Sequence, residues 1–278
     1  MEPAGLRLFL RVWIVFVLLF LFVPIFVIVL YAFDSPVVQS WPISHLTLHW
    51  FRVAVNDPAV RNAFALSLKV GLLTTAIALA LGSAVAYGLH NFRFFGREGI
   101  SFLLVLPIAL PGIITGIALN SFFTFAGIQL SLWTIMVGHA TFCIVVVYNN
   151  LIARLRRTPR SLAEASMDLG ARGWQTQRYV MIPMVRTALV SGGLLAFALS
   201  FDEVIVTVFT SGANNTLPIW IFGAIRAGQQ LPEVNAVVSL VIVLTIIPVL
   251  IAARLAGAGA VTRTGRAQAA AGGSSARS

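Results

Sequence analysis

Six apolar runs, each about as long as a helix needs to cross a bilayer, constrain this chain more than any other feature. They cover approximately Leu8–Phe33, Ala63–Leu89, Ile100–Ala126, Leu132–Leu151, Thr187–Phe209 and Asn235–Leu255. In hydrocarbon every backbone amide must find its partner inside the protein, so only helices and closed barrels span. A barrel strand would alternate apolar and polar residues over about ten positions, and these runs do not alternate. The expected fold class is an all-α integral membrane protein with six transmembrane helices. Composition agrees, since only 10% of the 278 residues are charged, against roughly a quarter in a soluble domain. The first run is too long for the apolar region of a signal peptide, and no small-residue cleavage site follows it. It is read as a retained anchor.

The net charge of +10 is a matter of topology. With the amino terminus inside, one side of the membrane receives Arg7, Arg11, Arg93, Arg97, seven arginines between Arg154 and Arg186, and four more from Arg254 to Arg277. The other side receives only Arg52, Arg61, Arg226 and Lys69. Fifteen basic residues against four place both termini in the cytoplasm by the positive-inside rule. These arginines flank membrane spans, so a nucleic-acid partner is not expected. The chain divides into an N-terminal segment with the first span (1–33), an external loop (34–62) and a core of five spans (63–256). The tail 257–278, rich in Ala, Gly, Ser and Arg, is expected to be disordered.

Catalytic chemistry is hard to find. Cys143 is the single cysteine, and His45, His49, His90 and His139 are scattered, so neither a disulfide nor a metal site is expected. His139 reads as a helix-packing or pore-lining residue. A phosphate-binding P-loop needs a lysine after a glycine-rich turn; the only lysine, Lys69, lies inside a span. The chain is therefore not expected to be an enzyme or to carry a cofactor, and any ATP that drives it must be bound by another subunit.

The loop 152–186 is more than a connector. Ser161 and Glu164 have the spacing of a capping box. Leu162, Ala165 and Leu169 then recur at helical spacing, and Gly170 supplies a stop. A second short segment runs from Gly173–Trp174 to Pro183, which is expected to break it before the fifth span. Such an element at the membrane surface suggests a docking surface for another protein, with Asp168 among its polar residues.

Charges inside a span cost about 2.5–3.5 kcal/mol at the helix centre, so they usually face a cavity or a partner. Asp202 and Glu203 lie in the outer half of the fifth run, and Glu233 is placed on the last external loop. All three are candidates for a cation path. Gly112 and Gly116 permit close helix contact, and Pro107, Pro111 and Pro248 mark possible bends.

The loop resembles the EAA motif of permease subunits in bacterial binding-protein-dependent ABC importers. Glu164-Ala165-Ser166 is followed after three residues by Gly170, after nine more by Val180, and then by Ile182-Pro183. Within that family the segments Leu106–Leu119, Gly138–Cys143, Glu164–Ala171, Leu199–Phe209 and Leu231–Leu240 resemble the second permease of spermidine/putrescine-type systems. The resemblance implies a type I importer permease fold in the bacterial inner membrane. It also implies a heterodimer with a second permease, two cytoplasmic ATP-binding subunits and a periplasmic solute-binding protein. Ser161, Glu164, Ala165, Ser166, Asp168, Leu169, Gly170, Ala171 and Pro183 would then form the element coupling to the ATPase. Asp202, Glu203 and Glu233 would serve the path of a polyamine or related small amine. The competing reading is a self-sufficient secondary transporter or cation channel using Asp202 and Glu203, which has no need of a docking helix. A cysteine introduced beside Arg157 is expected to react with a membrane-impermeant thiol reagent only from the cytoplasmic face; labelling from outside overturns the orientation.

Overall fold

The computed structural model describes residues 4–43, 45–92, 94–159, 161–228 and 231–246, and these are mostly helical. In chain order the helices are α1 (Ala4–Ala32), α2 (His49–Asn56), α3 (Pro58–Asn91), α4 (Arg97–Ala109), α5 (Gly112–Phe125), α6 (Leu132–Leu155) and α7 (Ser161–Asp168). They continue as α8 (Gly173–Thr176), a π-helical turn (Gln177–Met181), α9 (Ile182–Asp202), α10 (Ile205–Thr210), α11 (Leu217–Ala227) and α12 (Leu231–Ile246). Among the described residues, four helices are long and apolar enough to cross a membrane: α1, α3, α6 and the continuous stretch Gly173–Asp202. The α4–α5 pair, bent by 104°, adds a fifth if the two halves form one span. The last apolar run appears as α12, and the rest of it, with Pro248 and the tail 257–278, lies outside the described residues.

Two of the expected spans are broken, each for a local reason. Pro111 disfavours helical backbone at the residue before it, and Leu110 is extended with ψ 136°. The Ile100–Ala126 run therefore becomes two helices. The Thr187–Phe209 run stops at Asp202, and Glu203 is extended with ψ 118° before α10 begins. No proline acts there. Instead Glu203 Oε1 accepts the Val206 N–H at 2.9 Å, and the Thr207 hydroxyl donates to the Glu203 carbonyl at 2.6 Å. Such side-chain bonds offer the backbone an alternative to the helical ladder.

The chain divides into two compact units, one made of Met1–Asn62 with Trp220–Ile247 and the other of Ala63–Ile219 with Pro248–Ser278. In the first, Phe33 packs on Phe51 with ring centroids 4.9 Å apart. Asp34 pairs with Leu46 in an isolated antiparallel bridge, and Glu233, Val234, Ala236 and Val237 of α12 are buried. In the second, α6 is the central helix. Its residues Tyr148, Leu151, Ile152 and Leu155 pack with Ala86 and Leu89 of α3, Met181 of the π turn, and Val185 and Ala188 of α9. Cys143 and Val147 of the same helix meet Ala78 and Ala196. Between membrane helices, removal of apolar surface from water is not the driving force, and close packing takes its place.

The short helix α10 packs against α5 and α6, with Val206, Thr207 and Thr210 buried. Its last carbonyls lack partners within the helix, and neighbours supply them. Asn120 Nδ2 donates to the Phe209 carbonyl at 2.6 Å, and the Thr134 hydroxyl to the Thr210 carbonyl at 2.7 Å. Gly116 makes this approach possible, since a Cβ there would stand 2.5 Å from Cδ2 of Phe209. At Gly112 the corresponding gap to Ile205 is 3.5 Å, an ordinary contact. Gly116→Leu is therefore expected to destabilise the protein by about 1–3 kcal/mol through overpacking, and Gly112→Ala to be tolerated. The thermal midpoint of the detergent-solubilised protein checks this; equal midpoints for the two variants would contradict the packing.

Candidate functional site

The first candidate begins with α7. Its end follows the expected stop: Gly170 has φ +85°, the Gly170 N–H reaches the Met167 carbonyl, and the Ala171 N–H reaches the Ser166 carbonyl. These are the two bonds of a Schellman motif, which glycine permits at least cost. Ser161 is the first described residue of the helix, and the residue before it lies outside the described residues. Glu164 lies in the first turn, where the helix dipole favours negative charge.

The faces of α7 differ from the simplest expectation. Ala163 packs toward the Tyr148–Leu155 core, and the Ser166 hydroxyl lies 3.0 Å from that of Thr176 on α8. Leu162, Ala165 and Leu169 instead point away from the chain, as do Met167 and Asp168; Leu169 is 90% exposed. Among the described residues the stripe is left largely open, Leu162 being 41% exposed. Trp174 and Tyr179 extend the exposed apolar surface, and Arg156, Arg157, Arg172 and Arg178 are exposed too.

Pro183 does not break the loop from the fifth span. It occupies the start of α9, and helix runs without interruption through Gly173–Asp202. Proline normally clashes with the carbonyl four residues before it. Here the preceding turn is π-helical, with the Ile182 N–H bonded to the Gln177 carbonyl five residues back, and the wider turn accommodates the ring. Arg154 Nε donates to the Met184 carbonyl at 3.1 Å, fastening the end of α6 to the start of α9.

The second candidate lies at the two helix breaks. A cavity of about 260 Å³ is lined by Pro107, Ile108, Leu110, Gly112 and Thr115 from the α4–α5 bend, Phe142 and Val146 from α6, and Leu199, Glu203 and Val206 from the α9–α10 break. Glu203 is half-buried and is the only acidic residue in that lining. One of its carboxylate oxygens caps α10, as described above. The C-terminal end of α9 brings further partial negative charge to the same place. Asp202, its neighbour, is exposed and does not line the cavity.

His139 lies behind the break, 1% exposed. Its Nδ1 is 2.8 Å from the Ser200 hydroxyl and its Nε2 is 2.7 Å from the Thr207 hydroxyl. The packing role expected of it therefore takes a specific form, a bridge between residues on either side of the break. Sequence reasoning passed over Thr115, Phe142, Ser200 and Thr207. Only Pro111, marking the facing bend, pointed toward them. Glu233 departs from expectation in another way. It belongs to the first turn of α12 and is 1% exposed, with Asp57 as the neighbouring acidic group. Within the described residues α12 already includes Leu231, four residues before the apolar run, which takes Glu233 off the external loop. Among the described residues no three His, Cys, Asp or Glu side chains gather as a metal site requires.

Comparison with known proteins agrees with this architecture. Residues 78–258 match the family described as binding-protein-dependent transport system inner membrane component. The chain is 34% identical over 232 residues to the putrescine transport system permease protein PotI of Escherichia coli (strain K12), covering 80% of this chain and 82% of that protein. It is 31% identical over 243 residues to the spermidine/putrescine transport system permease protein PotC of Haemophilus influenzae, covering 86% and 93%. Among solved structures it resembles a chain of a bacterial ABC transporter involved in the import of the acidic polysaccharide alginate. The TM-score there is 0.63 at 20% identity, with 92% of this chain and 97% of that chain covered. The MetNI methionine ABC transporter in an inward-facing conformation gives a TM-score of 0.61 at 17% identity, with 78% and 97% covered. The family match spans well over half of the 278 residues, and the chain belongs to the binding-protein-dependent transport system inner membrane components, the multi-pass inner-membrane permease subunits of ABC importers.

Proposed function

We propose that this chain forms, with a second permease, the translocation path for a polyamine such as putrescine or spermidine, or a related small amine. The observation that carries the reading is the cavity where both helix breaks meet, with the Glu203 carboxylate and Thr115 in a mainly apolar lining. A polyamine is a string of ammonium groups on methylene stems. Its charge suits a carboxylate beside a helix C-terminus, and its stems suit Pro107, Ile108, Leu110 and Phe142. Broken helices whose ends face an ion near the middle of a membrane are a recurring way to build such a site. Relatives named for putrescine and spermidine/putrescine transport support the same substrate class.

The driving force comes from outside the chain in this reading. Two cytoplasmic ATP-binding subunits hydrolyse ATP, since the sole lysine is not in a phosphate-binding loop, and a periplasmic solute-binding protein delivers the substrate. The element α7 and the following turn, with Ser161, Glu164, Ala165, Ser166, Asp168, Leu169, Gly170, Ala171 and Pro183, dock on one ATPase. The exposed Leu162, Met167, Leu169, Trp174 and Tyr179 supply the apolar contact, and the capped helix supplies the rigidity. The last run completes six spans, with both termini in the cytoplasm. Asp202 contributes to the wider electrostatics of the path. Glu233 is assigned to its outer part, where it acts through packing and charge.

Uptake of labelled putrescine by cells expressing the whole importer tests this, with and without a mutation in the P-loop lysine of the partner ATPase. Uptake is expected to vanish with that lysine; uptake that survives supports a secondary carrier instead. Glu203→Gln is expected to lower uptake roughly tenfold or more, because it removes the one charge in the cavity. Asp202→Asn is expected to have the smaller effect. Glu164→Lys and Gly170→Arg are each expected to abolish uptake while the protein still inserts at normal level. Undiminished uptake in either would remove the docking role of α7.

A further inference from the structure

The break that presents Glu203 is not held by its own sequence alone. Ser200 lies three residues before Glu203, in the last turn of α9, and Thr207 lies four residues after it, in the first turn of α10. Both hydroxyls converge on one imidazole, His139 of α6, at 2.8 and 2.7 Å. The Thr207 hydroxyl donates its proton to the Glu203 carbonyl at 2.6 Å, so it has none left for His139. With the Thr207 proton so committed, the tautomer that fits carries its proton on Nε2 and donates it to Thr207. A neutral imidazole has one donor and one acceptor nitrogen, and Nδ1 accepts the proton of Ser200. The result is an ordered relay: Ser200 to His139, His139 to Thr207, Thr207 to the backbone at the break. Gly138 lets α6 come close enough, since a Cβ there would lie 3.0 Å from Cγ1 of Val206. Val206 is the residue whose N–H holds the Glu203 carboxylate.

We propose that His139 is a positioning residue for transport: through Ser200 and Thr207 it fixes the break between α9 and α10 and so sets where the Glu203 carboxylate stands in the cavity. The inference rests on the reading of Glu203 as a substrate-path residue and adds the element that aims it. A fully buried imidazole needs partners for both nitrogens, and here those partners stand on either side of the break. The relay uses both, on residues 61 and 68 positions away in the chain.

The test uses the complete importer in proteoliposomes, with labelled putrescine as the probe and protein level checked for every variant. Thr207→Val keeps the volume and removes the relay's central hydroxyl; it is expected to lower the uptake rate about tenfold, the scale of one buried hydrogen bond. Thr207→Ser keeps the hydroxyl and is expected to restore most of the rate. His139→Ala is expected to lose as much as Thr207→Val, and the double variant no more than either, because they remove the same relay. In a Glu203→Gln background, Thr207→Val is expected to add nothing further. Normal uptake by Thr207→Val, failure of Thr207→Ser to rescue, or multiplying losses in either double variant would overturn the proposal. Glu203→Gln with normal uptake would instead defeat the underlying reading of Glu203, and the positioning role with it. Nitrogen NMR of histidine-labelled protein, with the His139 signal identified by its loss in His139→Gln, gives a readout free of transport. A neutral ring protonated at Nε2 supports the relay, and one protonated at Nδ1 overturns it.

Discussion

Everything distinctive in this chain follows from the rule that a backbone amide in a membrane must be satisfied within the protein. A plain apolar helix obeys it without help. A broken one does not, because each new helix end frees N–H and C=O groups that lipid cannot take. The break at Glu203 is therefore surrounded by substitutes. A carboxylate oxygen takes the Val206 N–H, a threonine hydroxyl takes the Glu203 carbonyl, and Asn120 and Thr134 take the carbonyls at the far end of α10. Thr134, His139, Ser200, Thr207 and Thr210 are all buried around this interruption. The same interruption borders the cavity, so the broken span and the Glu203 carboxylate share one location.

How much of this was legible in the sequence depends on how local its cause is. The apolar runs are local, and so is the bend at Pro111, which acts on the residue before it. The α9–α10 break is not. Nothing in Leu199–Phe209 is a strong helix breaker, and a carboxylate in mid-run reads equally well as a charge on a continuous helix. Local bonds of Glu203 and Thr207 hold the break, and His139, more than sixty residues away, joins its two sides. Pro183 shows the reverse error. It is a breaker by its chemistry, but the π-helical turn before it absorbs the clash and the helix passes through.

The same distinction separates the two faces of α7. Periodicity correctly placed Leu162, Ala165 and Leu169 together, because spacing alone decides which residues share a face. It had no means of telling which face meets the chain's own core. Ala163 and Ser166, smaller and less conspicuous, turned out to face inward. Small residues suit that position because they let a short helix lie close against α8 and the π-helical turn, and the larger apolar side chains are left for something else. Glu233 was misplaced for a related reason. The start of a helix was read from where apolar residues become continuous, whereas α12 begins earlier and buries the acid in its first turn.

The two candidate sites stand at opposite ends of one rigid element. From Gly173 to Asp202 the helix is continuous over 30 residues, roughly 45 Å at helical rise. The α7 contact to Thr176 lies near one end, and Glu203 follows immediately after the other. Along that line the backbone departs from regular α-helix at the π turn of Gln177–Met181 and then at the break. The first departure is braced by the Arg154 bond to Met184, and the second by the His139 relay. A displacement of α7 has little place to dissipate between these points, because α9 packs closely on α6 along its length through Val185, Ala188 and Ala196. Mechanical continuity of this kind is what a coupling device requires. It explains why an irregular backbone is confined to the two ends, and why each end is held by side chains from α6 and not left to the helix itself.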